Sequence, residues 1–164
     1  MRRLAITATL TFVIDQISKL AIVQGLDLIN RGEIDVFPPY LVFRMAWNRG
    51  INFGLFANNA DVMRWVLIAV AIAISAWVLW WIRRDSPGLR AELAAGLLIG
   101  GALGNVIDRI VYGAVADFLN MSCCGIENPY AFNVADIAIF VGAIGLVIFT
   151  GASDKPAKPR KRRR

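Results

Sequence analysis

Residues Gly100 to Phe118 read GGALGNVIDRIVYGAVADF, and after a short polar stretch Ala131 to Asp136 read AFNVAD. An apolar run ends near Tyr112 and the next begins near Val134. At those ends stand Asn105, Asp108, Arg109, Asp117, Asn133 and Asp136. Ionisable groups are costly to hold at membrane depth, so each is a candidate for function by default.

Outward from this stretch, the 164-residue chain is 57% hydrophobic with a formal net charge of +6. Its apolar residues fall in runs, roughly 4–23, 62–82, 93–112 and 134–150, and about 20 such residues span a bilayer. Twelve of the 18 Lys and Arg precede the first run, follow the fourth, or lie between the second and third. The positive-inside rule then puts both termini in the cytoplasm and turns loops 24–61 and 113–133 outward. A three-span reading would split the basic ends across the membrane. The expected fold is therefore membrane all-α: four transmembrane helices, with a small extracytoplasmic β-cradle in the first outward loop. Residues 1–152 read as one integral membrane domain and 153–164 as a disordered basic cytoplasmic tail. We read that tail as a topology anchor attracted to anionic lipid, not as a nucleic-acid site. Asp15, Gln16 and Lys19 interrupt the N-terminal run, so it reads as a retained span rather than a cleaved leader.

There is no histidine, which excludes Ser-His-Asp and Cys-His catalysis and His-ligated metal. No cofactor and no metal are expected. The adjacent Cys123 and Cys124 read as two small loop residues.

In the first span Thr7, Thr11, Asp15 and Lys19 recur every fourth residue and share one helix face. Asp15 and Lys19 form an i, i+4 pair of opposite charge. At about 1.5 Å per residue from Leu4 they lie roughly 17 and 22 Å deep. Lys19 has a stem long enough to snorkel toward the outer surface. Asn105, Asp108, Arg109 and Tyr112 form a matching stripe on the third span, with Asn105 about 21 Å along from Ala91. The two stripes are therefore expected to meet near the outer surface, either as a packing network or as support for reactive groups. Gly96, Gly100 and Gly104 have the spacing of a close helix contact. In the first outward loop, Tyr40–Trp47, the turn Asn48-Arg49-Gly50 and Ile51–Phe56 predict a hairpin.

Gly113 is expected to cap the third span, which leaves Asp117 in the loop at the outer rim. Asn133 suits the N-cap of the fourth span and puts Asp136 at its third position, where a carboxylate is favoured. Asp117 and Asp136 would then sit at similar depth. Two close carboxylates share a proton rather than both ionise. In such a pair one carboxylate takes a proton from water and the other polarises a carbonyl. A proton relay through Asp15, Lys19, Asp108 and Arg109 in a transporter, and a structural scaffold, are the alternatives.

Four segments, in order, resemble lipoprotein signal peptidase (signal peptidase II). These are Asp15 with Lys19; Asn48, Gly50, Phe53 and Gly54; Gly104, Asn105, Asp108, Arg109, Gly113, Val115, Asp117 and Phe118; and Phe132, Asn133, Ala135 and Asp136. The resemblance covers nearly the whole chain. It implies an aspartic endopeptidase of the bacterial inner membrane, active on its outer face. Such an enzyme cleaves a prolipoprotein just before its diacylglyceryl-modified cysteine. It implies Asp117 and Asp136 as catalytic residues. It implies substrate-binding or supporting roles for Asp15, Lys19, Asn48, Gly50, Gly54, Asn105, Asp108, Arg109 and Asn133. The implied partners are the prolipoprotein, membrane lipid and globomycin-type inhibitors.

Overall fold

A computed structural model describes residues 1–50 and 60–150 of the chain. Gly54, the expected strand at 51–56 and the tail 153–164 lie outside the described residues. Helix α1 (Arg2–Lys19) continues as a π-helical stretch, Leu20–Gly25, and a one-turn helix α2 (Leu28–Arg31) follows. Strands β1 (Glu33–Phe37) and β2 (Leu41–Asn48) lead to the long helices α3 (Ala60–Asp85) and α4 (Leu89–Tyr112). Strand β3 (Val115–Asn120) and helix α5 (Val134–Thr150) complete the described chain.

Helix α4 is the centre of the bundle and packs against α1, α3 and α5. Its small residues permit this. A Cβ at Gly96 would meet Thr7 Cβ at 2.6 Å, and one at Gly101 would meet the Ala135 carbonyl oxygen at 2.5 Å. Bare backbone on α4 thus lets α1 approach on one side and α5 on the other. The lower core joins Leu4, Val78, Ile82, Ala91, Ala95, Ile99 and Leu146. A second apolar cluster of Val23, Leu28, Ala116 and Phe118 lies under the sheet. Polar side chains of α1 and α4 are buried between these two clusters.

The outer surface of the bundle is apolar. Leu10, Ile14 and Ile17 on α1, Trp65, Ile72 and Trp77 on α3, and Phe140, Val147 and Ile148 on α5 are all exposed. A soluble domain would not present a belt of this kind, and lipid chains would cover it. Three helical segments, Arg2–Gly25, Asp61–Asp85 and Leu89–Tyr112, are long and apolar enough to cross a membrane. Val134–Thr150 is a shorter apolar helix.

The sheet adds partners that the sequence reading lacked and corrects that reading at Asp117. Its order is β1-β2-β3, antiparallel throughout. Residues 41–48 therefore pair with the segment before them, across the Pro38-Pro39 turn, and with a strand from the second outward loop. Val42 and Phe43 are thus paired on both edges. The correction concerns Asp117, which is not a rim-exposed loop residue. It lies on β3, opposite Ala46, and is 2% exposed. The loop was expected because local turn signals carry no information about a partner strand some seventy residues upstream.

Gly113 does end α4, at φ 79°, with its N–H on the Arg109 carbonyl. Only glycine takes that left-handed backbone without strain, so the chain turns there directly into β3. Cys123 and Cys124 are also a correction: they are joined as a disulfide between neighbouring residues at the exposed tip of the loop after β3.

Candidate active site

The start of α5 is built as a reciprocal cap. Asn133 Oδ1 accepts the Asp136 N–H at 3.0 Å, and Asp136 Oδ2 accepts the Asn133 N–H at 3.1 Å. Two otherwise unpaired donors of the helix start are satisfied at once. This fixes the Asp136 side chain against its own helix N-terminus, where partial positive charge favours an anion. Asn105 Nδ2 on α4 donates to its other oxygen at 2.9 Å. Asp136 remains half-buried, unlike the nearly fully buried Asp117.

Asp117 is held from two directions. Asn133 Nδ2 donates to its Oδ1 at 2.6 Å, and Asn48 Nδ2 to its Oδ2 at 3.1 Å. Asn48 reaches it because β2 and β3 pair in register, and its own Oδ1 accepts the Gly50 N–H at 2.9 Å. Burial, and then the neighbouring Asp136 carboxylate, push the Asp117 carboxyl up to about 6 from the ordinary 3.8. The amide bonds from Asn48 and Asn133 act the other way. Asp117 and Asp136 thus differ in setting: one buried and displaced toward the acid form, the other half-open at a helix N-terminus.

Beneath this pair the stripes of α1 and α4 meet. Lys19 does not snorkel. Its Nζ lies 2.8 Å from Asp15 and 2.8 Å from Asp108, and it donates to Asn105 Oδ1 at 3.3 Å. Asp15 Oδ1 accepts the Ala135 N–H at 2.9 Å, and Asp108 Oδ2 accepts the Ala116 N–H at 3.2 Å. Arg109 donates to the Asn105 carbonyl at 3.3 Å. Gln16 joins the layer, with its amide at 3.1 Å from Asp15 and 3.2 Å from Asp108. In the sequence Gln16 stands out only as a polar break in an apolar run. Nothing in its spacing shows that it reaches across to α4.

Of the expected site residues, Asp15, Lys19, Asn48, Asn105, Asp108, Asn133, Asp117 and Asp136 thus form one connected network, with Gly50 and Arg109 at its edges. A cavity of about 280 Å³ opens beside it, lined by Gln16, Lys19, Val23, Trp47, Asp108 and Tyr112. Neither aspartate of the pair lines it. Among the described residues no group of three or more His, Cys, Asp or Glu is arranged to hold a metal ion.

The family described as signal peptidase (SPase) II has a sequence profile that matches residues 7–151. The chain belongs to the signal peptidase II family. Lipoprotein signal peptidase of Methylorubrum extorquens is 43% identical over 138 residues, which are 84% of this chain and 79% of that one. Lipoprotein signal peptidase of Aeromonas hydrophila is 39% identical over 149 residues, 90% of this chain and 87% of that one. A bacterial membrane enzyme solved by the in meso method at 2.3 Å resolution superposes with a TM-score of 0.77 at 27% identity. That match covers 98% of this chain and 96% of the solved one. This signal peptidase II relative is therefore a protease-family chain with apolar membrane-spanning helices, and lipoprotein processing fits both its relatives and its architecture.

Proposed function

We propose that the chain is an aspartic endopeptidase that removes the signal peptide from diacylglyceryl-modified prolipoproteins. It cuts before the lipidated cysteine, using Asp117 and Asp136 as the catalytic pair. One observation carries this reading: a single residue, Asn133, bonds both carboxyl groups, with Nδ2 on Asp117 and the backbone N–H on Asp136.

The settings of the two groups suggest their roles. Asp136, half-open and facing helix N–H donors, is the base that takes a proton from the attacking water. Asp117, which keeps its proton up to about 6, donates a hydrogen bond to the scissile carbonyl as the tetrahedral intermediate forms. A proton then passes from the pair to the departing amine. The new carboxyl end belongs to the signal peptide and the new amine to the lipidated cysteine.

In the membrane we read four spans, with α5 as the fourth. At 17 residues α5 is at the short end of the range that crosses hydrocarbon, about 17–25 residues. Its exposed Phe140, Val147 and Ile148 support lipid contact. An even number of spans keeps both basic termini in the cytoplasm. The sheet and the aspartate pair then face outward from a bacterial inner membrane. The substrate keeps its acyl chains in lipid while its peptide bond meets water. Membrane lipid and globomycin-type inhibitors are expected partners at the same face; nucleic acid is not.

The test is a purified full-length sample in detergent, given matched prolipoproteins with and without the diacylglyceryl group. Mass spectrometry should find cleavage only of the lipidated form, at the bond before cysteine. Equal cleavage of both forms, or cleavage elsewhere, would refute the substrate assignment.

A further inference from the structure

We propose that Lys19 is a positioning residue that ties the backbone at Asp117 to the backbone at Asp136. The proposal rests on the aspartate-pair reading above.

The geometry has a twofold pattern. The Lys19 ammonium lies 2.8 Å from Asp15 and 2.8 Å from Asp108. Asp15 accepts the N–H of Ala135, the residue directly before Asp136. Asp108 accepts the N–H of Ala116, the residue directly before Asp117. Each anion therefore clamps the backbone N–H of the residue just before one member of the pair, and one cation holds both anions. The three side chains come from α1 and α4, while the clamped amides belong to β3 and α5. Asn105 and Asn133 join the same four elements through side-chain amides, whereas the Lys19 link ends on backbone N–H groups.

Burial makes the link stiff. Asp15, Lys19 and Asp108 are 0%, 6% and 1% exposed. Charges this far from water hold their partners closely, because an unpaired one would be left without solvation. Two carboxylates converge on one ammonium, so loss of Lys19 would leave both without a counter-ion, and they would move apart or take up a proton. Either change relaxes the amides of Ala116 and Ala135. None of the three side chains hydrogen-bonds to Asp117 or Asp136; they reach the pair through the Ala116 and Ala135 amides and, from Lys19, through Asn105, which bonds Asp136. A displacement on the order of 1 Å at reacting groups costs about a hundredfold in rate.

The experiment uses the full chain in detergent, with a lipid-modified prolipoprotein as substrate. The variants are Lys19→Met, Asp108→Asn, Asp15→Asn and the double Lys19→Met/Asp108→Asn. Asparagine keeps an acceptor for the clamped amide and removes only the charge. Lys19→Met is expected to lower kcat at least about tenfold with KM within about twofold. Asp108→Asn is expected to lower kcat by about tenfold alone, yet by less than about twofold when added to Lys19→Met, because the link is already broken. Additive losses, a loss confined to KM, or wild-type kcat in Lys19→Met would overturn the proposal.

A second readout separates positioning from packing. Asp117 faces Asp136 from α5, Lys19 from α1 and Arg109 from α4, and the Lys19 charge holds its carboxyl down. The basic limb of kcat/KM should move to higher pH in Lys19→Met, and an unmoved limb would count against the proposal. If Lys19→Met does not fold, the near-isosteric Asp15→Asn and Asp108→Asn decide the matter. Both must lose kcat at unchanged KM, and wild-type kcat in either overturns the link. Asp117→Asn and Asp136→Asn serve as controls. If they retain cleavage, the aspartate-pair reading fails; if they are inactive while Lys19→Met is normal, only the Lys19 proposal fails.

Discussion

Asn133, just before the helix that carries Asp136, donates its side-chain amide to Asp117 at 2.6 Å. Its backbone N–H and side-chain oxygen meanwhile close the cap with Asp136 at 3.1 and 3.0 Å. An asparagine suits this place because it offers two amide donors and an acceptor without charge. A carboxylate there would repel both aspartates, and a hydroxyl supplies one donor only. Local helix capping and the spacing of the candidate catalytic groups are thus set by the same side chain.

Separating those two roles gives the first prediction. Asn133→Ala removes the cap, worth about 1 kcal/mol of stability. It also removes the hydrogen bond to Asp117, worth about 0.5–1.5 kcal/mol, or roughly two- to tenfold in rate if felt in the transition state. Asn133→Ser restores the cap without the amide donor. Melting curves should therefore recover in the serine variant while prolipoprotein cleavage stays low. Full activity in Asn133→Ser would show that the bond to Asp117 does not matter.

Acidity gives the second. Asp117 is displaced up to about 6, so it keeps its proton to higher pH than an ordinary carboxyl group at 3.8. If the protonated form polarises the carbonyl, kcat/KM should fall as pH rises through about 6, by roughly tenfold per unit well above it. The same shift links to stability. The folded state holds this proton more tightly than the unfolded chain does. Its contribution is fully present below about 4 and is lost as pH rises through about 6. Asp117→Asn should flatten that part of a melting-temperature profile. A pH-independent kcat/KM between about 5 and about 8 would exclude the assigned role.

Close helix packing gives the third. A Cβ at Gly104 would meet Asp15 Oδ2 at 2.5 Å and Ala135 Cβ at 3.6 Å. Gly104→Ala should displace Asp15 from the Ala135 amide and cost about 1–3 kcal/mol, as overpacking does in well-filled interiors. Thermal unfolding in detergent would report the loss, and cleavage should fall with it. An alanine variant with unchanged melting and activity would show that Asp15 can move without consequence.

Much of this was legible in the sequence because helices announce themselves locally. The apolar runs and the i, i+4 recurrence of Thr11, Asp15 and Lys19 required only the helix period, and the cap of Asn133 on Asp136 required only four residues. Asp117 was harder. Its burial on β3 depends on Ala46 and Asn48 arriving from a distant strand, and the register of such a pairing leaves little trace in either segment alone. The bond from Asn48 to Asp117 follows from that register too, although the turn and the family resemblance had already singled out Asn48. Gln16 was illegible for a related reason: its partner Asp108 lies on another helix, and a lone glutamine in an apolar run names no partner.

The central claim is that Asp117 and Asp136 act together. Its most direct test is turnover of a lipid-modified prolipoprotein by Asp117→Asn and Asp136→Asn, each checked for native melting. Asparagine matches aspartate in shape but cannot take a proton from water or share one with its neighbour. Each single variant, and the double variant to the same extent, should lose at least about a thousandfold in kcat, since groups that work as a unit are not additive. Near-normal cleavage by either folded single variant would contradict the account.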